Sequence, residues 1–224
     1  GSALKPILYA AMLSDGLILP NSIIPDIPTQ IGSYAPKNFD LNYDGAVPAG
    51  RALSRSLNVP AVKMLQQYKY QRFYETLQQA GITTLNNNAD FYGLSLILGG
   101  CEVTPWDLAG VYASMARTLN HQTKNHGKLD AKDFYAPRYR TTDNRQRTTD
   151  NGQRETRNIP LDATSIYFAF QAMQDVMRPG EEGLWQQFSS SQKIAWKTGT
   201  SFGFRDGWAV GLTPKNVVLV WVGN

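Results

Sequence analysis

Three short stretches of the chain set hydroxyls, amines and amides at spacings that invite chemistry. Ser2-Ala3-Leu4-Lys5 places a hydroxyl and an amine three residues apart, and residues three apart on a helix share a face with about 5–6 Å between their Cβ atoms. Lys5 Nζ is therefore expected within reach of Ser2 Oγ without long-range folding to bring them together. The apolar run Ile7-Leu8-Tyr9-Ala10-Ala11-Met12-Leu13 follows, so this helix should be buried on most sides rather than along one stripe. A serine and a lysine at its buried end call for an explanation beyond packing. Ser56-Leu57-Asn58 sets a hydroxyl and an amide two residues apart just ahead of Pro60. Lys197-Thr198-Gly199-Thr200 surrounds a glycine with a cation and hydroxyls. Glycine inside a strand often marks a close approach of backbone or ligand, and this set suits capture of a carboxylate. Each triplet alone is a weak signal. All three in order along one chain are a strong one.

The elements that must position these residues can be read from periodicity and turn chemistry. Pro6 falls in the first turn of the opening helix, where amides lack intrahelical acceptors. From Ser14 to Val47 prolines, glycines and short polar residues recur, which reads as a long irregular connection with a short strand at Ser22-Ile23-Ile24. Helices are expected over Ala49 to Arg55, from Pro60 to about Gln67, and from about Gln71 to Ala80, where Gly81 suits the stop. Because residues before proline avoid helical dihedrals, Ser56 and Asn58 should lie on a turn ahead of Pro60 and face one cleft. Asn58 could also cap the helix that follows. Thr104-Pro105-Trp106-Asp107 opens a helix through Leu119, and Asp162 caps another over about Ala163 to Met177. The tail changes period: 193–198, 207–211 and 216–222 read as strands separated by turns. A helical body followed by an antiparallel meander is α+β rather than alternating α/β.

Composition bounds the rest. The chain of 224 residues has 42% hydrophobic and 18% charged residues, those of an ordinary globular protein, and a formal net charge of +4. That charge is not clustered beside stacking aromatics, so no nucleic-acid partner is expected. Cys101 is the only cysteine. It excludes an intrachain disulfide and reads as a small buried hydrophobe rather than a nucleophile, since no histidine stands to activate it. His121 and His126 sit in one polar stretch without further ligands, and neither a metal nor a cofactor is expected. No segment reaches the roughly 18 apolar residues of a membrane span. Residues 121–158 are polar, with Arg140-Thr141-Thr142-Asp143-Asn144 repeated as Arg147-Thr148-Thr149-Asp150-Asn151. Such a stretch buries too little apolar surface to offset its ordering entropy, and reads as a solvated loop. Trp106, Trp196, Trp208 and Trp221 are expected in the core.

Ser-x-x-Lys, Ser-x-Asn and Lys-Thr-Gly together are the motif set of penicillin-binding proteins and serine β-lactamases. Gly1 to Pro6, Ala52 to Val62 and Leu98-Gly99-Gly100-Cys101-Glu102-Val103-Thr104 resemble the transpeptidase domain of bifunctional, class A penicillin-binding proteins. Lys197 through Trp208 looks most like the 1C branch of that family. The resemblance spans the chain except its polar loop, and implies the penicillin-binding protein/serine β-lactamase-like fold. It implies that Ser2 is the nucleophile toward the carbonyl between two terminal D-alanines of a peptidoglycan stem peptide, and that Lys5 is its base. Ser56 relays a proton to the leaving amine, Asn58 holds Lys5 and the substrate amide, and Lys197, Thr198, Gly199 and Thr200 receive the substrate. The backbone N–H groups of Ser2 and Thr200 form the oxyanion hole. For Lys5 to act as a base its pKa must fall, and burial and the cation Lys197 both push it down.

The family has strands of the same sheet ahead of the serine helix and a helix after the last strand, so residues 1–224 are expected to be a fragment of a longer domain with an uncovered sheet. An upstream glycosyltransferase domain and membrane anchor, a place at the periplasmic face of the inner membrane, and stem peptides, lipid-linked precursor and β-lactam antibiotics as partners are likewise expected from the resemblance alone. Membrane contact would come only through that anchor. Competing readings are a DD-carboxypeptidase, a β-lactam sensor of low turnover, and a β-lactamase. The last is disfavoured because no Glu-x-x-Leu-Asn segment occurs and Leu57 stands where class A β-lactamases have Asp.

Overall fold

The computed structural model describes residues 1–124, 133–137, 161–175, 194–201, 203 and 205–223. Among these, Ser2–Leu4 form a single 3₁₀ turn that runs into α1 (Lys5–Ser14). Then come β1 (Ile23–Asp26), β2 (Gly45–Pro48), α2 (Ala49–Ser54), α3 (Asn58–Tyr68), α4 (Tyr70–Ala80), α5 (Ala89–Tyr92) and α6 (Pro105–Lys124). The C-terminal part holds α7 (Ala163–Gln174), β3 (Ala195–Thr200), β4 (Asp206–Leu212) and β5 (Val217–Gly223). The architecture is α+β, as expected.

α1 is the central post. Every residue from Lys5 to Met12 is buried, because the unbroken apolar run leaves no face for water. α1 packs against α7 and α3, α7 also covers α2 and β3, and α6 lies under β4 and β5. Burying a leucine or isoleucine side chain contributes about 1.5–3 kcal/mol, and Leu4, Ile7, Leu8 and Met12 are all fully enclosed. The C-terminal strands form an antiparallel sheet in the order β3-β4-β5. Lys197 pairs with Val210 and Gly199 with Trp208, while Val210 pairs with Leu219. Alternation puts Ala195, Lys197, Gly199, Val210 and Leu212 toward the body, whereas Val218, Val220 and Val222 of β5 are exposed.

Most element boundaries follow local chemistry. Gly81 ends α4 at φ +114, a conformation that costs a side chain with a Cβ dearly. Thr104 Oγ1 accepts from Asp107 N at 3.0 Å, and Asp162 accepts from Ser165 N at 2.9 Å, so both expected caps form.

Four expectations need correction. The connection after α1 is not irregular throughout: β1 pairs with β2, a strand that Gly45-Ala46-Val47-Pro48 does not advertise. Second, α3 begins at Asn58, not Pro60. Pro60 is still in the first turn, where its missing N–H costs nothing, and the amides of Asn58 and Val59 are capped by the side chain of Asn38 at 2.9 and 3.1 Å. The cap is therefore Asn38 and not Asn58. Third, the polar stretch expected as a solvated loop over 121–158 is not solvated throughout: α6 continues to Lys124, and Asp133 and Phe134 are buried. Fourth, Trp106 and Trp221 are exposed rather than core residues. The polar repeat at 140–151, His126 and the far end of the helix expected to reach Met177 lie outside the described residues.

Candidate active site

The three motifs converge. Lys5, 1% exposed, donates from Nζ to Ser56 O at 2.7 Å, Leu57 O at 3.2 Å and Asn58 Oδ1 at 2.8 Å. Lys197, 2% exposed, donates from Nζ to Ser56 Oγ at 2.8 Å and to Thr198 O at 2.8 Å. Ser56 thus bridges two buried lysines, one through its carbonyl and one through its hydroxyl. Its backbone is held at φ +56, a left-handed conformation uncommon for a residue with a Cβ and of a kind that clusters at functional sites.

Buried cations without carboxylates must lose basicity. Burial, reinforced by the neighbouring Lys197 cation, holds Lys5 well below the ordinary lysine range. The three acceptors around Nζ favour the ammonium, and burial outweighs them. Burial alone brings Lys197 down to about 7. Two neighbouring amines both held below the ordinary lysine range are an arrangement suited to general acid–base work.

The surroundings of Ser2 are built by close backbone packing. Lys5 N–H bonds back to Ser2 O, Leu4 N–H to Gly1 O at 3.1 Å, and Tyr112 Oη, carried by α6, donates to Ala3 O at 2.7 Å. These bonds fix the turn that carries Ser2. β3 runs alongside. A Cβ on Gly199 would come within 3.0 Å of Ala3 N and 3.4 Å of Ser2 N, which is why glycine stands between the two threonines. Ser201 N donates to Asp206 O at 3.0 Å, and alternate residues of an antiparallel pair exchange main-chain bonds. Trp196, Thr198 and Thr200 therefore turn their N–H and C=O groups away from β4, toward the edge of the sheet that no strand covers among the described residues. Thr200 meets Gly1 there: a Cβ on Gly1 would lie 3.4 Å from Thr200 N and 2.7 Å from Thr200 O. β3 thus runs close along the Gly1–Ala3 turn at both Gly199 and Thr200.

Not every sequence-predicted contact is present. No hydrogen bond to Ser2 Oγ forms among the described residues, and Lys5 Nζ faces the 56–58 turn instead. The side chains of Thr198 and Thr200 are exposed on the opposite alternation from Lys197. The structure also supplies participants that the sequence reading left out. Asn58 Nδ2 donates to Lys37 O at 2.9 Å, Asn38 caps α3, and Tyr112 holds Ala3. Asn38 sits in a loop and Tyr112 on an apolar helix face, so neither carries a local signal. Cys101 is half-buried, its Sγ donates to Leu96 O at 3.7 Å, and burial raises its thiol to about 11, which keeps it protonated near neutrality. His121 pairs with Asp133, and no group of metal-ligating side chains occurs among the described residues.

This fold is that of penicillin-binding transpeptidase domains. It superposes over the whole chain on penicillin-binding protein 1A from Haemophilus influenzae with a TM-score of 0.70 at 24% identity, covering 37% of that chain. On PonA1 from Mycobacterium tuberculosis in complex with penicillin V the TM-score is 0.69 at 20% identity, over 60% of that chain. The family model described as the penicillin binding protein transpeptidase domain matches residues 1–224, and the chain belongs to that family. It is 33% identical over 225 residues to penicillin-binding protein 1C of Escherichia coli K12, in keeping with the expected branch, and 29% identical over 232 residues to penicillin-binding protein 1A of Neisseria cinerea. Both matches cover all of this chain but only 26% and 27% of those proteins, so the chain spans about a quarter of the length of these relatives.

Proposed function

We propose that the chain is an acyl-serine DD-transpeptidase that cross-links peptidoglycan stem peptides, and that β-lactams acylate it at the same serine. The observation that carries this is the convergence of two buried, weakened lysines on Ser56, beside the packed turn that holds Ser2 against Gly199. Ser2 Oγ attacks the carbonyl between the terminal D-alanines, and its proton passes to Lys5 Nζ, which turns from one of its three acceptors to receive it. Catalytic hydrogen bonds commonly tighten only when substrate is bound. The oxyanion is held by Ser2 N–H and Thr200 N–H, where one donor is worth about 3–4 kcal/mol. As the C–N bond breaks, Ser56 passes a proton to the departing D-alanine amine, drawing on Lys197. Lys197, Thr198 and Thr200 meet the substrate carboxylate, Gly199 gives the chain room, and Asn58 orients Lys5 and the substrate amide. The free edge of β3 offers main-chain partners for the stem peptide to lie along as an added strand. An amine from a neighbouring stem then attacks the ester, forming the new amide and releasing Ser2.

The likeness to class A relatives supports a longer parent protein, with a glycosyltransferase domain that uses lipid-linked precursor and a membrane anchor, acting at the periplasmic face of the inner membrane. No helix among the described residues is long and apolar enough to cross a membrane. The test is a D-Ala-D-Ala stem peptide supplied with a stem-peptide amine acceptor, with products resolved by mass. Cross-linked dimer with loss of one D-alanine supports transpeptidation. Tetrapeptide alone assigns a DD-carboxypeptidase, and a stable acyl-enzyme without turnover assigns a sensor.

A further inference from the structure

We infer that Asn38 and Asp26 form a positioning pair that holds the Ser56–Asn58 turn in its working geometry, an inference that rests on the acyl-transfer reading above. Asn38 is 2% exposed and Asp26 is 0% exposed, and the amide of Asn38 is fully committed. Its Oδ1 accepts from Asn58 N at 2.9 Å and Val59 N at 3.1 Å, and its Nδ2 donates to Asp26 Oδ1 at 2.7 Å and Asn42 O at 2.9 Å. Asp26, at the end of β1, accepts Asp44 N on its other oxygen at 3.0 Å. Asp26 fixes which way the Asn38 amide faces, since only the oxygen-inward orientation gives the carboxylate a donor and α3 an acceptor.

The next residue back closes the grip, because Lys37 O accepts from Asn58 Nδ2. Asn58 is thus held at its backbone N–H by Asn38, at its amide nitrogen by Lys37, and at its amide oxygen by Lys5. Two residues away Ser56, in its left-handed conformation, meets Lys5 through its carbonyl and Lys197 through its hydroxyl. A turn with a strained residue at its head keeps its shape only if its surroundings over-determine it. α1 and β3 supply the inner contacts, and Asn38 with Asp26, joined by Lys37 O, supply the outer ones, so the Asn38 amide ties the end of β1 to the turn.

The experiment exchanges donors and acceptors within the pair. Asn38→Asp keeps the oxygen that caps α3 but sets a second oxygen against Asp26 and Asn42 O. The double variant Asp26→Asn/Asn38→Asp restores the bond within the pair with reversed polarity and keeps an acceptor for Asp44 N, while residue 38 still sets an oxygen against Asn42 O. The rate constant and the end-point stoichiometry of acylation by a fluorescent penicillin are measured well below each variant's melting temperature. Loss of fold lowers the stoichiometry, whereas loss of position lowers the rate at full stoichiometry. A misplacement approaching 1 Å costs up to about a hundredfold, so N38D is expected to acylate about ten- to a hundredfold more slowly. The double variant, which regains the bond within the pair but not the one to Asn42 O, is expected to acylate about three- to tenfold faster than N38D. Parent-like rates in N38D, or a fully folded double variant as slow as N38D, overturn the inference. If N38D does not fold, D26N carries the test: its amide cannot accept both bonds, so a slowed rate at full stoichiometry supports the pairing and a parent-like rate overturns it. A folded parent that does not acylate at all overturns the acyl-transfer reading and this inference with it.

Discussion

Gly199→Ala isolates the contact between β3 and the turn that carries Ser2. The added methyl would lie 3.0 Å from Ala3 N, 3.4 Å from Ala3 Cβ and 3.4 Å from Ser2 N. Against an ordinary contact of about 3.4–4 Å, the first of these is short by several tenths of an ångström. Neither side yields freely. Ala3 is held by Tyr112 Oη at 2.7 Å, and β3 is held along its length by β4. The strand must therefore back away, taking Lys197 from Ser56 and Thr200 from Ser2. Since about 1 Å of misplacement can cost a hundredfold, a shift of roughly half that is expected to slow acylation about tenfold. Overpacking costs about 1–3 kcal/mol, at about 2–4 °C of melting temperature per kcal/mol for a chain of this size. Rate constants for acylation by a fluorescent penicillin and a thermal scan check both. A G199A protein that melts lower yet acylates at the parent rate would refute the claim that this contact sets catalytic geometry.

Other perturbations follow from the same contacts. Tyr112→Phe leaves Ala3 O buried without its donor, and should cost about 1–3 kcal/mol of stability by denaturant titration while slowing acylation, because the turn carrying Ser2 loses its tie to α6. Lys197→Met removes the cation that helps hold Lys5 down. Lys5 then gains basicity, and the acidic limb of the pH–rate profile for residual acylation should move to higher pH, whereas a limb that stays put would separate the two amines. Stability should rise with pH above about 7. The folded pKa of Lys197 lies below its unfolded value, so above it the unfolded chain binds the extra proton, and stability gains up to about 1.4 kcal/mol per pH unit until unfolded lysine titrates near 10.4. Denaturant midpoints across that window measure it, and in K197M the rise should shrink.

The residues of the candidate site are legible because their signals are local: Ser2 and Lys5 share one turn, Ser56 and Asn58 another, and Lys197 to Thr200 one strand. α+β architecture followed from the change of period after α7, and the caps at Thr104 and Asp162 from single side chains. What the sequence hid is what depends on distant partners. β2 forms because Gly45 to Pro48 pair with β1, not because those residues favour a strand. α3 starts two residues ahead of Pro60 because Asn38, 20 residues earlier, caps it. Lys5 faces the 56–58 turn rather than Ser2 because three acceptors lie there, a choice no spacing rule contains. Trp221 looked like a core residue by type, yet it is exposed and donates to Asp206 Oδ1 at 3.0 Å.

The central claim is that Ser2, activated by the converging lysines, forms an acyl-enzyme. Intact mass recorded over time in the presence of benzylpenicillin, followed by peptide mapping, tests it most directly. The account predicts one persistent penicilloyl adduct on Ser2, lost in Ser2→Ala and slowed in Lys5→Met. A folded protein that gains no adduct, or gains one at any other residue, would contradict it.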